Sequence, residues 1–374
     1  MHQLAHPKYR AAVIGAGPAG LACVGNLLDK FKSSNERILW IDPHFKAGRL
    51  ENYPEVPSNT KVCLFTRFAE ACDAFSCKES ATYNKLLKDF DPQAGCKLKW
   101  AAELCKELTA HIKGKVDTVE GQVETLKYDG NVWKIETGTA TFESKLIFLA
   151  TGSKPKNMAN ASDFIDLDDA LNPLVLESKI DPTQTIAVYG SSHSAMLVLK
   201  NLLDSPNCPA RIVNFYRQEA KFAEFPDPIG CPDKILHDNT GLKGETAQWV
   251  RTWINLDDNE LASKFDSKLL RIKTTANTEF SEFKIDKSIF AIGYERNSLP
   301  SIIYASAPLD PNTLDYTATG QLTTPEIPAI NGLYGFGIAF PERVKDLDGS
   351  EEMAVGLWKF MRHIKKSIEA ISLL

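Results

Sequence analysis

The chain has 374 residues, and its 43 lysines and arginines against 48 aspartates and glutamates leave a formal net charge of −5. Apolar residues make up 43% and charged residues 24%, which is ordinary globular usage and argues against a disordered chain. No apolar run approaches the roughly 18 uncharged residues of a membrane helix, and the acidic balance disfavours general nucleic-acid binding. The length exceeds the usual span of one hydrophobic core, so it predicts two domains.

Two further features indicate the compartment. The first ten residues lack the apolar segment of a secretory signal. The eight cysteines are scattered along the chain, a distribution typical of reduced thiols in the cytosol. We therefore expect a cytoplasmic protein.

The first predicted element is an apolar strand at 10–14 that runs into a glycine-rich turn. A helical pattern of apolar residues follows between residues 21 and 31, and a second strand at 37–41 ends at Asp42. This order of strand, glycine turn, helix, strand and acid is the opening of a dinucleotide-binding βαβ unit. The residues of the turn that we assign to the cofactor site are Gly15, Gly17, Pro18, Ala19 and Gly20.

Each glycine of this motif has a physical task. Gly15 permits the tight turn, Gly17 lets the backbone approach a pyrophosphate, and Gly20 lets the helix pack against the strand. The N–H groups at the helix N-terminus would bind phosphate, and Asp42 would accept hydrogen bonds from ribose hydroxyls. The alternative is a structural glycine turn with no ligand.

The middle of the chain mixes helices and strands. A loop at 43–60 precedes helical patterns at 65–75 and 98–112, after which the period changes to that of a β-meander. The meander consists of strands at 116–127, 132–136 and 141–142, followed by the strand 145–149, which runs into Ala150, Thr151 and Gly152.

The same pattern then recurs. A strand at 185–189 leads into a second small-residue turn and a helix, and further strands follow at 211–216 and 287–291. The segment 218–265 interrupts this unit, is expected to contain helices of its own, and would border a substrate site. Beyond it, short β-like stretches at 320–338 precede a last predicted helix at 350–371. The second turn comprises Gly190, Ser191, Ser192, His193, Ser194 and Ala195.

With these motifs the sequence resembles the flavoproteins that have two dinucleotide-binding domains, a superfamily of thioredoxin-reductase-like enzymes and flavin monooxygenases. The resemblance implies that the first motif binds the ADP half of FAD and that Ala150, Thr151 and Gly152 form the crossover between domains. It also implies that Gly337 lies on a late strand that returns to the flavin, although Ile338 stands where the family usually has Asp. The residues that it places near the isoalloxazine ring are Gly48, Arg49 and Leu50.

The second turn resembles the G-x-G-x-S-A motif of the NAD(P) domains in this family. Ser192 replaces the middle glycine, so a vestigial domain without a nicotinamide cofactor stays an alternative. Arg217 ends the next strand where NADH-binding members have an acid, and it would pair with a 2′-phosphate, which favours NADPH. The alternative is that Arg217 is simply solvated. His193 would either touch the nicotinamide or the substrate or make a local hydrogen bond, and we expect the local hydrogen bond.

The cysteines do not form the dithiol of the disulfide reductases in this superfamily. Cys72 and Cys77 have the C-x4-C spacing but lie well beyond Asp42, and no cysteine lies between Gly152 and Gly190. We interpret the pair as ordinary, partly buried thiols. The sequence also lacks the spacing of a metal-binding cluster, so no metal is expected.

The sequence therefore predicts an α/β fold with two Rossmann-like, three-layer (β-β-α) dinucleotide-binding domains, the second inserted into the first. Residues 1–154 and 295–374 would bind FAD, and residues 155–294, including the inserted segment 218–265, would bind NAD(P). The expected function is that of an FAD-dependent oxidoreductase that NADPH reduces and that passes electrons to oxygen or a small organic substrate, as a monooxygenase does. The alternatives are a thiol or disulfide reductase and a non-catalytic FAD-binding redox sensor. The family often forms homodimers, and no nucleic-acid or membrane partner is expected.

Overall fold

A computed structural model describes residues 8–158, 163–224, 235–254 and 267–371. The longer helices among them follow the strands that they cover. The helices are α1 Pro18–Lys30, α2 Val62–Glu70, α3 Ala81–Asp89, α4 Leu98–Lys113, α5 Leu167–Ala170, α6 Pro173–Glu177, α7 His193–Asp204, α8 Gly244–Trp253 and α9 Leu357–Ala370. The strands are β1 Lys8–Ile14, β2 Ile38–Asp42, β3 Asp117–Glu120, β4 Val123–Tyr128, β5 Trp133–Thr137, β6 Thr141–Leu149, β7 Ser153–Pro155, β8 Thr185–Tyr189, β9 Arg211–Tyr216, β10 Leu269–Lys273, β11 Lys287–Phe290, β12 Tyr294–Arg296, β13 Ser301–Tyr304, β14 Ala307–Pro308, β15 Asp315–Tyr316, β16 Leu322–Thr323, β17 Leu333–Gly335, β18 Glu342–Lys345 and β19 Glu351–Ala354.

In the larger sheet, β1 lies between β6 and β2. This strand lies parallel to β2 on one side and to β6 on the other, with Val13 opposite Trp40 and Phe148. Strand β3 extends the sheet beyond β2, and β17 pairs in parallel with β6. Since the carboxyl ends of parallel strands lie on one edge, the turns after β1, β2, β6 and β17 meet there.

Two layers cover the central strands. Helices α1, α2, α4 and α9 pack on one face, where Val13 and Trp40 are fully buried. The meander of β4 and β5, together with β13, packs on the other face against Ala12 and Leu39. This explains why β1 and β2 are continuous apolar runs: both of their faces are buried.

The smaller sheet has the strand order β10-β9-β8-β11, and all of its pairs are parallel. Helix α7 covers it through buried residues such as Met196 and Leu199. Two antiparallel crossover strands, β7 and β12, connect the two sheets. The predicted α/β fold with two Rossmann-like units is confirmed, whereas the exact domain boundaries stay a prediction.

Two local predictions were wrong or incomplete. The last helix does not begin at 350, because β19 pairs with β18 as a hairpin and Gly356, with φ at 142°, separates β19 from α9. Helix α3 was missed, because it is short and mostly polar outside Tyr83 and Leu86. The inserted segment contains α8, as expected, while its parts at 225–234 and 255–265 lie outside the described residues. None of the described helices is long and apolar enough to cross a membrane.

Candidate functional site: two glycine turns and the cleft between them

The first glycine turn leaves no space for side chains at Gly15 and Gly20. Gly15 has φ at +109°, and a Cβ there would lie 2.3 Å from the carbonyl oxygen of Ala150. A Cβ at Gly20 would lie 1.9 Å from the carbonyl oxygen of Gly15. Both glycines are therefore required by the packing of strand, turn and helix, as the sequence predicted.

The N-terminus of α1 lies open at this turn. Gly17 is the N-cap, Pro18 begins the helix, and no side chain caps its free N–H groups. Gly48 crosses the turn so closely that a Cβ on it would lie 3.0 Å from the Gly17 Cα. On the far side, a Cβ on Gly337 would lie 2.6 Å from the Ala19 Cβ. The structure thus brings Gly17, Ala19, Gly48 and Gly337 together, while Leu50 packs partly buried against the helical layer.

Asp42 organises the same turn. Its Oδ2 accepts a hydrogen bond from the Ala16 N–H at 2.6 Å, and its Oδ1 accepts from the N–H groups of His44 and Phe45 at 2.8 and 2.7 Å. A carboxylate has about four acceptor positions, so one is left for a ribose hydroxyl.

The crossover motif contributes an unpaired polar atom. Thr151 Oγ1 is buried and, among the described residues, has no hydrogen-bond partner. Asn297 donates from Nδ2 to the Thr151 carbonyl at 2.8 Å and from its N–H to the Gly152 carbonyl at 3.1 Å, which fixes the motif. A buried hydroxyl without a partner is costly, and a bound flavin nucleotide would supply one. The residues at this edge of the larger sheet thus fit a flavin dinucleotide.

The second glycine turn repeats the construction of the first. Gly190 has φ at +125°, and a Cβ there would lie 2.3 Å from the carbonyl oxygen of Ala291. Ser192 is the N-cap of α7 in extended backbone, with φ at −86° and ψ at −171°, close to the values of −72° and −178° at Gly17. No side chain caps α7, so its N–H groups are also open, and Ser194 and Ala195 lie in its first turn. The backbone at Ser192 therefore does not require glycine.

The expectation that His193 makes a local hydrogen bond was wrong. Both of its ring nitrogens are buried, and neither has a partner among the described residues. Burial, together with the smaller effect of the charge of Lys243, lowers the pKa of His193 to about 4. The imidazole is thus neutral at physiological pH, and it offers one donor and one acceptor.

Two arginines lie beyond the second turn. Arg217 is exposed immediately after β9, and the next carbonyl, of Gln218, accepts a hydrogen bond of 2.5 Å from Ser191 Oγ. Arg271 is a cation on β10, a strand that the sequence pattern did not predict. It donates to Asn214 Oδ1 at 3.1 Å and lies over the Tyr216 ring at 4.4 Å, while its Nη1 is buried without a partner among the described residues.

Arg49 forms part of a polar cluster between the two sheets. Its Nη2 donates to Asp168 Oδ2 at 2.7 Å, Asn52 donates to the same oxygen at 3.0 Å, and the Tyr53 hydroxyl donates to Oδ1 at 2.8 Å. Burial raises the pKa of Tyr53, so its hydroxyl stays protonated. A cavity of about 530 Å³ is lined by Arg49, Asn52 and Asp168 together with Lys154. Asp168 was missed because its role depends on contacts across the cleft.

The described cysteines, which exclude Cys231, are all free thiols. Cys72 is buried with its Sγ 3.9 Å from Met361 Sδ, and burial raises its pKa to about 12. Cys77 belongs to a separate short turn, and burial raises its pKa as well. A thiol must ionise to exchange disulfides, so neither residue suits a reductase.

One group of side chains in the described part of the chain has the spacing of metal ligands. Atoms of His237, Asp346 and Asp348 lie within 4.8 Å of one another. However, Asp346 Oδ2 already accepts from the main chain and Nδ1 of His237, and Asp348 Oδ1 accepts from the N–H and hydroxyl of Ser350. The group is satisfied by hydrogen bonds within the protein.

Each of the two sheets has an open helix N-terminus after one of its parallel strands, and paired crossover strands join the sheets. This is the arrangement of a protein with two dinucleotide-binding domains. Over 392 aligned residues, the chain is 37% identical to monooxygenase AgnR1 of Paecilomyces divaricatus, covering 96% of this chain and 97% of that protein. The chain belongs to the family of this monooxygenase and is an oxidoreductase of the flavoprotein class. No protein-family model matches the sequence.

Solved structures show the same fold. The ornithine hydroxylase of Pseudomonas aeruginosa superposes with a TM-score of 0.61 at 12% identity, over 97% of this chain and 99% of that one. The ornithine N-hydroxylase of Kutzneria sp. 744 gives 0.60 at 12% identity, with coverage of 97% and 99%. The bacillithiol disulfide reductase of Staphylococcus aureus gives 0.54 at 15% identity, with coverage of 97% and 98%.

Proposed function

We propose that the protein is an FAD-dependent monooxygenase that NADPH reduces and that oxygenates a small organic substrate. The observation that carries this proposal is the duplication of one turn, with Gly15 against Ala150 and Gly190 against Ala291 at the same separation. One turn would bind FAD and the other NADPH. The name of the AgnR1 relative supports oxygen as the acceptor, and the buried, protonated Cys72 disfavours a disulfide.

The chain's own residues supply binding and position. The N–H groups of α1, with Asp42, would hold the ADP half of FAD, and those of α7 would hold the pyrophosphate of NADPH. The flavin, when bound, supplies hydride acceptance and oxygen activation. Thr151 Oγ1 would donate to the flavin nucleotide, and Arg217 with Arg271 would attract a 2′-phosphate.

The visible spectrum of the purified protein, followed by NADPH oxidation with and without oxygen, tests the proposal. We expect flavin absorbance, bleaching by NADPH in the absence of oxygen, and recovery of the absorbance when air enters. A coloured protein that neither NADPH nor NADH bleaches would instead indicate the redox-sensor alternative. A protein without flavin would contradict both.

Asp42→Ala should lower flavin occupancy. The substitution removes the acceptor proposed for the ribose, and it also removes the acceptor of three backbone N–H groups. The loss of these hydrogen bonds should cost about 1–3 kcal/mol in total. The flavin-to-protein ratio after gel filtration should fall at least several-fold. The ratio should fall less in Asp42→Asn, which keeps one acceptor oxygen. An Asp42→Ala protein with full flavin content would refute the assignment.

Arg217→Ala should raise the Michaelis constant for NADPH and leave that for NADH unchanged. Only NADPH carries the 2′-phosphate, and an arginine pairing with it is worth about 1.5–3 kcal/mol, a factor of roughly 10 to 100. Arg217→Lys should recover part of the effect, since it keeps the charge. Equal changes for both nucleotides would show that Arg217 has no role in choosing between them.

A further inference from the structure

A second cavity, of about 250 Å³, lies between the inserted segment and the last helix. Its walls come from residues near Asp238 on one side and from the β18–β19 hairpin and α9 on the other. The cavity is separate from the one beside Arg49, since the two share no lining residue.

A chain of charged contacts links this cavity to the second glycine turn. Lys243, whose charge lowers the pKa of His193 in the second glycine turn, forms an ion pair with Asp238. Lys359 pairs with the same carboxylate at 2.7 Å and lies in the first turn of α9. Helix α9 in turn packs against α1, with Asn26 Nδ2 on α1 donating to Met361 Sδ on α9 at 3.2 Å. The cavity is therefore lined by a helix that contacts the element of the first glycine turn and by a carboxylate that is linked to the second.

The carboxylates of the cavity are already satisfied. Glu352 is buried, and it accepts from the N–H and Nδ2 of Asn239 at 2.9 Å each and from Thr240 Oγ1 at 2.5 Å. Asp238 has its two lysines, whose ion pairs outweigh the effect of burial and lower its pKa. Asp346 accepts from His237 at 2.8 and 3.1 Å.

Only some of the cationic side chains that line the cavity have partners within the protein. Lys359 has Asp238 and also donates to Asn239 Oδ1 at 2.6 Å. The side chain of Arg362, one turn further along α9, is exposed and has no ion-pair or hydrogen-bond partner within the described ranges, and the same holds for the side chain of Lys345. The unpaired charge that a ligand would meet is therefore positive.

The rest of the lining is apolar, with Ile235, Val344, Leu347 and Ala354. The volume is slightly below the roughly 300 Å³ at which pockets for drug-sized ligands begin. We propose that this cavity binds the substrate of the enzyme through an acidic group, so that the substrate class is a small aromatic or aliphatic acid, with Arg362 as the residue that recognises its anion. That the ligand is a substrate of the enzyme rests on the proposed function.

Calorimetric titration of the purified protein with benzoate and with benzamide tests the proposal. The two probes have nearly the same shape and differ in charge. Benzoate should bind at least tenfold more tightly than benzamide. Arg362→Gln should weaken the binding of benzoate about tenfold, or about 1.4 kcal/mol, without changing the affinity for benzamide. Arg362→Lys should keep most of the affinity for benzoate.

Lys366→Gln is the matched control, because Lys366 is exposed on α9 but does not line the cavity. It should leave both affinities unchanged. Equal affinities for the two probes, no binding of benzoate, or an equal loss in Arg362→Gln and Lys366→Gln would each overturn the proposal. Calorimetry does not depend on flavin reduction, so failure of the proposed function would be seen separately, in the spectrum and the NADPH assay.

Discussion

Alanine at Gly15 is expected to leave the purified protein without flavin, with occupancy reduced at least tenfold. The φ of +109° is unfavourable for alanine, and its Cβ would lie 2.3 Å from the backbone oxygen of Ala150, which belongs to the neighbouring chain segment. Neither group can rotate away, so the turn must open and α1 must move. The flavin-to-protein absorbance ratio after gel filtration measures the loss.

The matched substitution is Gly190→Ala. Its φ of +125° and its contact of 2.3 Å with the Ala291 oxygen reproduce the strain at Gly15, but in the other turn. We expect Gly190→Ala to keep its flavin and to lose reduction by NADPH at least tenfold, while dithionite still bleaches it. Loss of flavin from Gly190→Ala but not from Gly15→Ala would reverse the assignment of the two turns.

Gly130→Ala controls for backbone strain alone. Gly130 has φ at +99° in a hairpin turn, and a Cβ there would meet nothing within 4 Å. Its substitution should cost about 1–2 kcal/mol of the free energy of unfolding and leave flavin content and NADPH reduction unchanged. If Gly130→Ala also lost flavin, the loss of flavin in Gly15→Ala would be explained by general destabilisation of the protein.

The sequence predicted the parts of the site that depend on local backbone. The strand runs at 10–14 and 185–189 are apolar because both faces are buried, and the positive φ at Gly15 and Gly190 follows from the turns that they begin. At Ser192 the backbone is extended, a conformation that any residue adopts, so its backbone angles do not require glycine, and binding of a nicotinamide nucleotide at this turn stays a prediction.

The rest of the site depends on contacts between distant segments. Asp168 interacts with Arg49 from more than a hundred residues away, and Glu352 accepts its hydrogen bonds from Asn239 and Thr240. No local pattern marks these pairs. The helix start at Leu357 was misplaced for a related reason, since residues 351–354 become a strand only through pairing with β18.

His193 is expected to make the stability of the protein depend on pH. Burial lowers its pKa from 6.5 to about 4, so between these values the unfolded chain binds a proton that the folded protein does not. The contribution is fully present above pH 6.5 and is lost as the pH falls toward 4. From pH 7.5 to pH 5 the free energy of unfolding should therefore decrease by about 2 kcal/mol on account of this residue.

Urea unfolding of His193→Leu and His193→Gln at both pH values isolates this contribution. Neither side chain titrates, so both variants should show a pH dependence smaller by about 2 kcal/mol than that of the unsubstituted protein. At pH 7.5, His193→Leu should be the more stable of the two, because it buries no unpaired polar group, whereas glutamine buries an amide. An unchanged pH dependence in both variants would mean that the imidazole is not shielded from water in solution, and its neutral, unpaired state at the second glycine turn would have to be abandoned.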